Sequence, residues 1–236
     1  MAGERRSRIL EHLARGSAPG LETKRLCEVC AEITCLTGAG IMLMSGDIAR
    51  GSVCSTNDVS ALIEELQYDL GEGPCVDAYH LDLPVLEPDL DAPSGVRWPA
   101  FSGPALDAGV RAVFGFPLRV GGVRLGALNL YRDQPGTLSD DQHADALAMA
   151  DVAAEAVLQL QAGVPRGRLA AELEAGADFR YIVHQASGMV AAQLQVSVAQ
   201  ALIRLRAYAF ANNRLLSEVA EAVVARQLRF SDRAEG

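Results

Sequence analysis

"RAVFGFPLRV" (residues 111–120) and "VRLGALNLYRD" (residues 123–133) stand on either side of Gly121-Gly122. Both runs are rich in Val, Phe, Leu and Tyr, and two glycines supply the positive φ that a tight two-residue turn needs. The stretch reads as a β-hairpin, and a hairpin commits its sheet to antiparallel pairing. Upstream, "GIMLMSGD" (40–47) reads as a strand and turn and "RGSVCST" (50–56) as a second strand. "DLPVLEPDL" (82–90) has strand character but is broken by Pro84 and Pro88, as an edge strand tolerates.

Helical patterns surround these strands. A short helix fits residues 5–15. A better one fits 21–37, with Leu26, Val29, Cys30, Ile33 and Leu36 or Thr37 on one face and Gly38 and Gly40 at its end. Asn57 can cap a helix over 58–68 with Leu62, Ile63 and Leu66 inward. "LGEGPC" (70–75) reads as a glycine-proline loop, and residues 97–110 mix a turn with a short helix. Ser139 caps an alanine-rich helix over about 140–161, with Asp140 and Asp141 in the first turn, where negative charge is favoured. Helix, strands, loops, hairpin and helix in this order predict an α+β domain built on an antiparallel sheet.

This first domain is expected over residues 1–162. "AGVPRG" (162–167) ends the long helix, "RLAAELEAG" (168–176) can add two helical turns, and a linker or hinge is expected over 163–177. Its breakers Gly163, Pro165, Gly167 and Gly176 argue against one continuous helix between domains. Residues 178–231 are all helical in pattern. Asp178 caps a helix over about 179–194, and Ser197 with Gln200 forms a capping box for a second over about 198–211. After the turn "ANNR", Leu216, Val219, Ala220 and Val223 line one face of a third. The expected second domain is a small all-α three-helix bundle. Within its first helix lies "IVHQASGMVAAQLQVS" (182–197), which contains Gly188. A mid-helix glycine costs about 1 kcal/mol relative to alanine. Its presence implies that something approaches this backbone closely, either a neighbouring helix or a nucleic acid.

Composition narrows the function classes. The chain has 236 residues, 50% hydrophobic and 22% charged, an ordinary globular balance. No apolar run approaches the ~18 residues of a membrane span. The basic start Arg5-Arg6-Ser7-Arg8 is followed by an apolar stretch too short for a signal peptide, so the cytoplasm is the expected location. Five cysteines, an odd number, do not suggest a disulfide framework. Cys27-x-x-Cys30 with Cys35 invites a zinc or redox reading, with Cys54, Cys75 and His80 as partners only through folding. Buried free cysteine is common, and no metal or other cofactor is expected. The chain contains no GxSxG nucleophile elbow and no GxxxxGK[ST] phosphate loop. Asp89 and Asp91 fall in a solvated loop. An enzyme is not expected.

Charge is unevenly distributed. The whole chain carries −9, whereas residues 179–231 carry six arginines against two glutamates, a net +4. This asymmetry suggests two parts with different partners. Lys24 is the one lysine. The arginine preference fits bidentate recognition or a GC-rich coding bias.

"VHQASGMVAAQLQVSVAQALIRLRAYAFANNRLLSEVAEAVVARQL" (183–228) resembles the ANTAR domain. The likeness lies in Gln185-Ala186-x-Gly188-Met189, Val196-Ser197, Ala201-Leu202, Leu205-Arg206, Asn213-Arg214 and Val219-Ala220. Ser187 stands where many ANTAR domains carry a basic residue, so no phosphate contact is expected there. Residues about 20–160 are similar to a GAF domain, a small-molecule sensor fold, through "LGEGPC", the 111–131 hairpin and the flanking helices. The double resemblance implies a signal-responsive transcription antitermination regulator. Its C-terminal domain would bind tandem RNA stem-loops in a leader transcript, and a homodimer would suit two stem-loops.

The residues fit that expectation by their own chemistry. In the second bundle helix, Val198, Leu202, Leu205 and Ala209 form the expected buried face, while Arg204, Tyr208 and Asn212 line up at i, i+4, i+8 on another. Guanidinium, aromatic ring and amide are the groups that recognise loop RNA. The candidate RNA contacts are Arg180, His184, Arg204, Arg206, Tyr208, Asn212, Asn213 and Arg214. An ordinary reading stays open: Tyr208 covering the core edge, the arginines forming a solvated face. Ile203 and Phe210 make a second apolar stripe that suits a partner subunit, the other domain or a different protein, or a three-helix core that buries them internally. A protein-interaction or dimerisation module is thus the alternative. In the first domain, Met44, Tyr68, Cys75, Trp98 and Phe116 are candidates for the wall of a small-molecule pocket.

Overall fold

The hairpin forms as expected. Strands β4 (Ala112–Val120) and β5 (Val123–Arg132) pair antiparallel, and Gly121 takes φ 58 in the turn, a conformation that a Cβ disfavours. The computed structural model describes residues 2–15, 23–45, 48–91, 97–163, 178–212 and 214–231. The chain divides into two compact units, residues 1–165 and 166–236.

In the first unit the hairpin is joined by β1 (Gly38–Ser45), β2 (Ile48–Ser55) and β3 (Val85–Glu87). The five-stranded sheet has the order β2-β1-β5-β4-β3 with every neighbouring pair antiparallel. Its helices are α1 (Ala2–Ala14), α2 (Thr23–Thr34), α3 (Asp58–Leu70), α4 (Pro74–Leu81), α5 (Pro99–Asp107) and α6 (Asp140–Gly163). Side chains alternate across a strand, so the sheet feeds two cores. Ile41, Phe114, Phe116, Leu118, Leu128 and Leu130 pack with Ile9 of α1, Leu26, Val29 and Cys30 of α2, and Met149 and Ala153 of α6. Val113, Ala127 and Tyr131 pack with Ile63 of α3, Cys75 and Ala78 of α4, and Phe101 of α5. Each fully buried large apolar chain contributes about 1.5–3 kcal/mol, so both layers are held mainly by these contacts.

Local signals behave as anticipated at two caps. Asn57 Oδ1 accepts from the Ser60 N–H at the start of α3. Before α6, Ser139 and Gln142 exchange hydrogen bonds between side chain and backbone. α1 is fastened to α6 by ion pairs of Arg5 with Asp141 and Asp145, of Arg8 with Asp145, and of Arg6 with Glu155.

Three features depart from expectation. The first is that Gly73-Pro74 starts a helix, α4, rather than sitting inside a loop over 70–75. Pro at the first helical position loses no hydrogen bond and has its φ preset. The second is the orientation of α3. Leu62 is exposed, Leu66 is half-buried, and Ser60, Glu64, Gln67 and Tyr68 are buried beside Ile63. The third is a disulfide between Cys27 and Cys54. α2 lies against the edge strand β2 and brings residues 27 positions apart to a Cα–Cα distance of 6.0 Å, within the range a disulfide bridges. Cys30, Cys35 and Cys75 remain as free thiols. An odd cysteine count is therefore compatible with one bridge.

α4 lies directly on β4. A Cβ built on Gly115 would overlap the Pro74 carbonyl oxygen, which is backbone and has little room to yield. Gly115→Ala is therefore expected to destabilise the first unit by about 1–3 kcal/mol, the usual cost of overpacking. Urea unfolding measures it, with Gly122→Ala as control, since a Cβ there meets open space.

The second unit contains α7 (Asp178–Leu194), α8 (Val198–Ala211) and α9 (Leu216–Val224). Its core joins Val183, Ala186, Val190 and Leu194 of α7 to Ala201, Leu202, Leu205 and Ala209 of α8 and Leu216, Val219, Ala220 and Val223 of α9. The Ser197–Gln200 capping box forms with both of its hydrogen bonds. Asp178 lies within α7 rather than ahead of it. Beyond Gly163 the expected linker, with the turns expected over 168–176, lies outside the described residues. Among the described residues no single helix is long and apolar enough to cross a membrane.

Candidate functional site

α8 places the candidate nucleic-acid interface. Its inner stripe is Ala201, Leu202, Leu205 and Ala209, with Val198 in the first turn exposed rather than buried as expected, and this turns Arg204 and Asn212 outward, both exposed. Tyr208, one turn from each, is half-buried. Asn212 caps the helix: its Nδ2 donates to the Tyr208 carbonyl at 2.8 Å, and its backbone N–H donates there at 3.1 Å. The amide is fixed in direction, with its donor side engaged locally. Arg204, Tyr208 and Asn212 are thus brought together as the helical spacing implies.

The other candidates behave differently. Arg206 is half-buried and stands about 200° round α8 from Arg204, so it belongs to another flank. Arg214 is exposed but held: its Nε lies 3.7 Å from Glu218 Oε2, and its Nη2 donates to the Glu218 carbonyl at 3.2 Å. His184 on α7 is half-buried. Asn213 and the side chain of Arg180 lie outside the described residues. Ser187 is buried and donates to the Val183 carbonyl at 2.7 Å. Gly188 is exposed, and a Cβ there would meet nothing within 4 Å. Among the described residues, then, no neighbouring helix crosses at Gly188, and close helix packing does not explain it.

One partner of this face escaped the sequence reading. Phe230 sets its ring edge-on to Tyr208, with centroids 5.4 Å apart. Its N–H donates to Gln193 Oε1 of α7 at 2.9 Å. A lone aromatic past the last helix carries no periodic signal, so nothing in the pattern marked it.

The first unit holds a cluster of buried polar side chains between the sheet and α3–α4. Asn129 of β5 lies in register with Gly40 of β1 and Gly115 of β4. The side chain of Glu64 lies over Gly40, and the Pro74–Cys75 backbone lies over Gly115. Gln67 ties the helices together, its Oε1 accepting from the Cys75 N–H at 2.8 Å and its Nε2 donating to the Ile63 carbonyl at 3.4 Å. Burial, reinforced by the Glu64 charge, pushes the Cys75 thiol well up, against the opposing effect of its hydrogen bond to Gln67. Cys75 is therefore a neutral thiol near pH 7 and no thiolate nucleophile. Asn129 is 2% exposed, and among the described residues its Oδ1 has no hydrogen-bond partner. A buried unpaired acceptor costs about 1–3 kcal/mol, so this oxygen suits a ligand's donor.

The candidate pocket wall needs one correction. Cys75 and Trp98 share the cluster on the α3–α5 side of the sheet, whereas Phe116 faces the α2–α6 side and meets His143 with ring centroids 5.5 Å apart. Gly115, the neighbour of Phe116, faces α4, and strand alternation sends Phe116 the other way. Tyr68 and Met44 are buried. Trp98 donates from Nε1 to Asp77 Oδ2 at 2.9 Å, so its polar edge is already satisfied. Cys27 is bonded to Cys54 and no longer available as a ligand. Among the described residues no group of three or more His, Cys, Asp or Glu side chains could hold a metal ion.

A five-stranded antiparallel sheet between helical layers, followed by a three-helix bundle, defines a sensor fold joined to a helical output module. The GAF domain model matches residues 23–158 and the ANTAR domain model matches residues 171–224, and the chain belongs to the GAF domain family with an ANTAR domain following. Solved structures agree on the fold of the first unit. The GAF domain of a phosphoenolpyruvate-protein phosphotransferase from Acinetobacter is 14% identical over 69% of this chain and 96% of that chain, with a TM-score of 0.52. Its counterpart from Coxiella burnetii is 15% identical over 68% of this chain and 95% of that chain, with a TM-score of 0.51. No curated protein matches the chain. The two domains make the protein a regulator with a sensor module and an RNA-binding output module.

Proposed function

We propose that this protein is a signal-responsive transcription antitermination regulator acting in the cytoplasm as a homodimer. A sensor part over 1–162 and a hinge over 163–177 control an RNA-binding part over 178–231. The output part binds tandem stem-loops in a leader transcript, one per protomer, and gains affinity from the linkage. The observation that carries the reading is the outward Arg204–Tyr208–Asn212 line on α8 of an ANTAR module. The bare backbone at Gly188 supports it, since a glycine with open space in front of it admits close approach by a ligand. The sensed molecule is a small compound with a hydrogen-bond donor for Asn129 Oδ1, held beside Cys75. The protein uses no cofactor and catalyses no reaction.

Gel shift of the intact chain with stem-loop and scrambled RNAs across a salt series tests this reading. Stem-loop binding should be selective and should weaken with salt, the slope reporting phosphates neutralised. Arg204→Ala should lower affinity by about 1–3 kcal/mol if the guanidinium makes a bidentate contact. Unchanged affinity in a folded Arg204→Ala protein removes Arg204 from the interface. Ile203 and Phe210 are 62% and 69% exposed, which favours a second reading, a protein-docking module. That reading gains if neither RNA shifts.

A further inference from the structure

The ANTAR model ends at residue 224, but the ordered chain does not. We propose that residues 225–231 complete the RNA-binding surface, with Arg229 contacting a backbone phosphate beside the base that Tyr208 stacks, and Phe230 acting as the positioning residue. The inference rests on the RNA-binding reading above.

Arg226 takes a left-handed φ of 59 and ends α9. Gln227 and Leu228 both donate to the Ala222 carbonyl, at 2.8 and 3.0 Å. The chain then runs back across the bundle to Phe230, whose backbone is held by Gln193 of α7 and whose ring is held against Tyr208 of α8. All three helices are tied by this one segment. Leu228 and Phe230 are half-buried, while Arg229 and Ser231 between and after them are exposed. This alternation sends the Arg229 side chain away from the bundle, one residue from the contact of Phe230 with Tyr208.

The chemistry follows from that placement. Residues 225–231 contain two arginines and no acid. Arg204 lies one turn from Tyr208 along α8, where i and i+4 side chains are neighbours. Arg229 precedes Phe230, whose ring meets Tyr208, so its guanidinium reaches the same region from the tail. An aromatic ring flanked by guanidinium groups matches an unpaired nucleotide, whose base stacks while its 5′ and 3′ phosphates take the charges. Phe230 touches no RNA in this arrangement. It fixes the direction of the Tyr208 ring and the register of Arg229.

The test uses the full-length chain and a labelled RNA carrying two short stem-loops, titrated from low to moderate salt. Arg229→Ala should weaken binding several-fold and lower the salt slope by about 1, the signature of one lost phosphate contact. Arg229→Lys should keep the slope. Phe230→Ala should reproduce the loss, and the double variant should be no weaker than either single one, because both act through the same contact. An unchanged slope in Arg229→Ala overturns the inference, and Arg229 is exposed enough that the fold is not at stake. Tighter binding by Phe230→Ala also overturns it and makes the tail a cover over Tyr208. Failure of the unaltered chain to bind the stem-loops sinks the RNA reading and this inference together. Binding with an unchanged slope sinks this inference alone.

Discussion

Leu205→Ala should unfold the RNA-binding unit and abolish stem-loop binding while the sensor unit stays folded. Leu205 is fully buried on α8, between Ala201 and Ala209, and the bundle core holds few other large side chains on that helix. Truncating a buried leucine costs about 2–5 kcal/mol, the lost transfer free energy together with the cavity left behind. A bundle of about 50 residues buries a smaller share of its surface than larger domains do and is correspondingly marginal. The cost is therefore comparable to the whole stability of this unit. Calorimetry should show one transition lost or moved far down, with the other unchanged, and limited proteolysis should cut within 178–231. Retention of both transitions with full RNA affinity would contradict this description of the core.

Reduction of the Cys27–Cys54 bridge should produce the second largest effect. The bridge closes a loop with a sequence separation of 27, for which the chain-entropy account gives about 3–4 kcal/mol. It ties α2 to β2, an edge strand with a neighbour on one side only and register irregularities against β1. For a unit of this size the loss corresponds to a fall of about 10 °C in midpoint. Cys30 sits one turn along α2 from Cys27, and burial pushes its thiol well up, so it stays protonated and does not exchange into the bridge. Unfolding with and without dithiothreitol, with alkylation to count free thiols, measures the difference. Equal midpoints, or a full set of free thiols before reduction, would contradict the bridge.

Much of this fold was legible because its signals are local. The Gly121-Gly122 hairpin, the Asn57 cap and the Ser197–Gln200 box depend on residues a few positions apart. The inward face of α9 depends on one helical period. What escaped depends on contacts between distant segments. Apolar periodicity turned α3 toward Leu62 and Leu66, yet its inner face carries Glu64 and Gln67, because Gly40 leaves room for a polar chain against the sheet. The odd number of cysteines concealed a pair brought together only when α2 covers β2. Phe116 was placed in the pocket by residue type, and strand parity puts it on the far side. On α8, the line from Arg204 to Asn212 could be read from spacing alone. The tail that braces Tyr208 could not, since nothing in residues 225–231 repeats with a structural period.

The central claim is that unpaired nucleotides touch the outward face of α8. Ultraviolet cross-linking of the intact protein to stem-loop RNA, followed by peptide mapping, tests it most directly. Cross-links should fall on Tyr208 and on the peptides carrying Arg204, Asn212 and Arg229. Cross-links confined to the first unit, or to the flank of α8 that bears Ile203 and Phe210, would contradict the account.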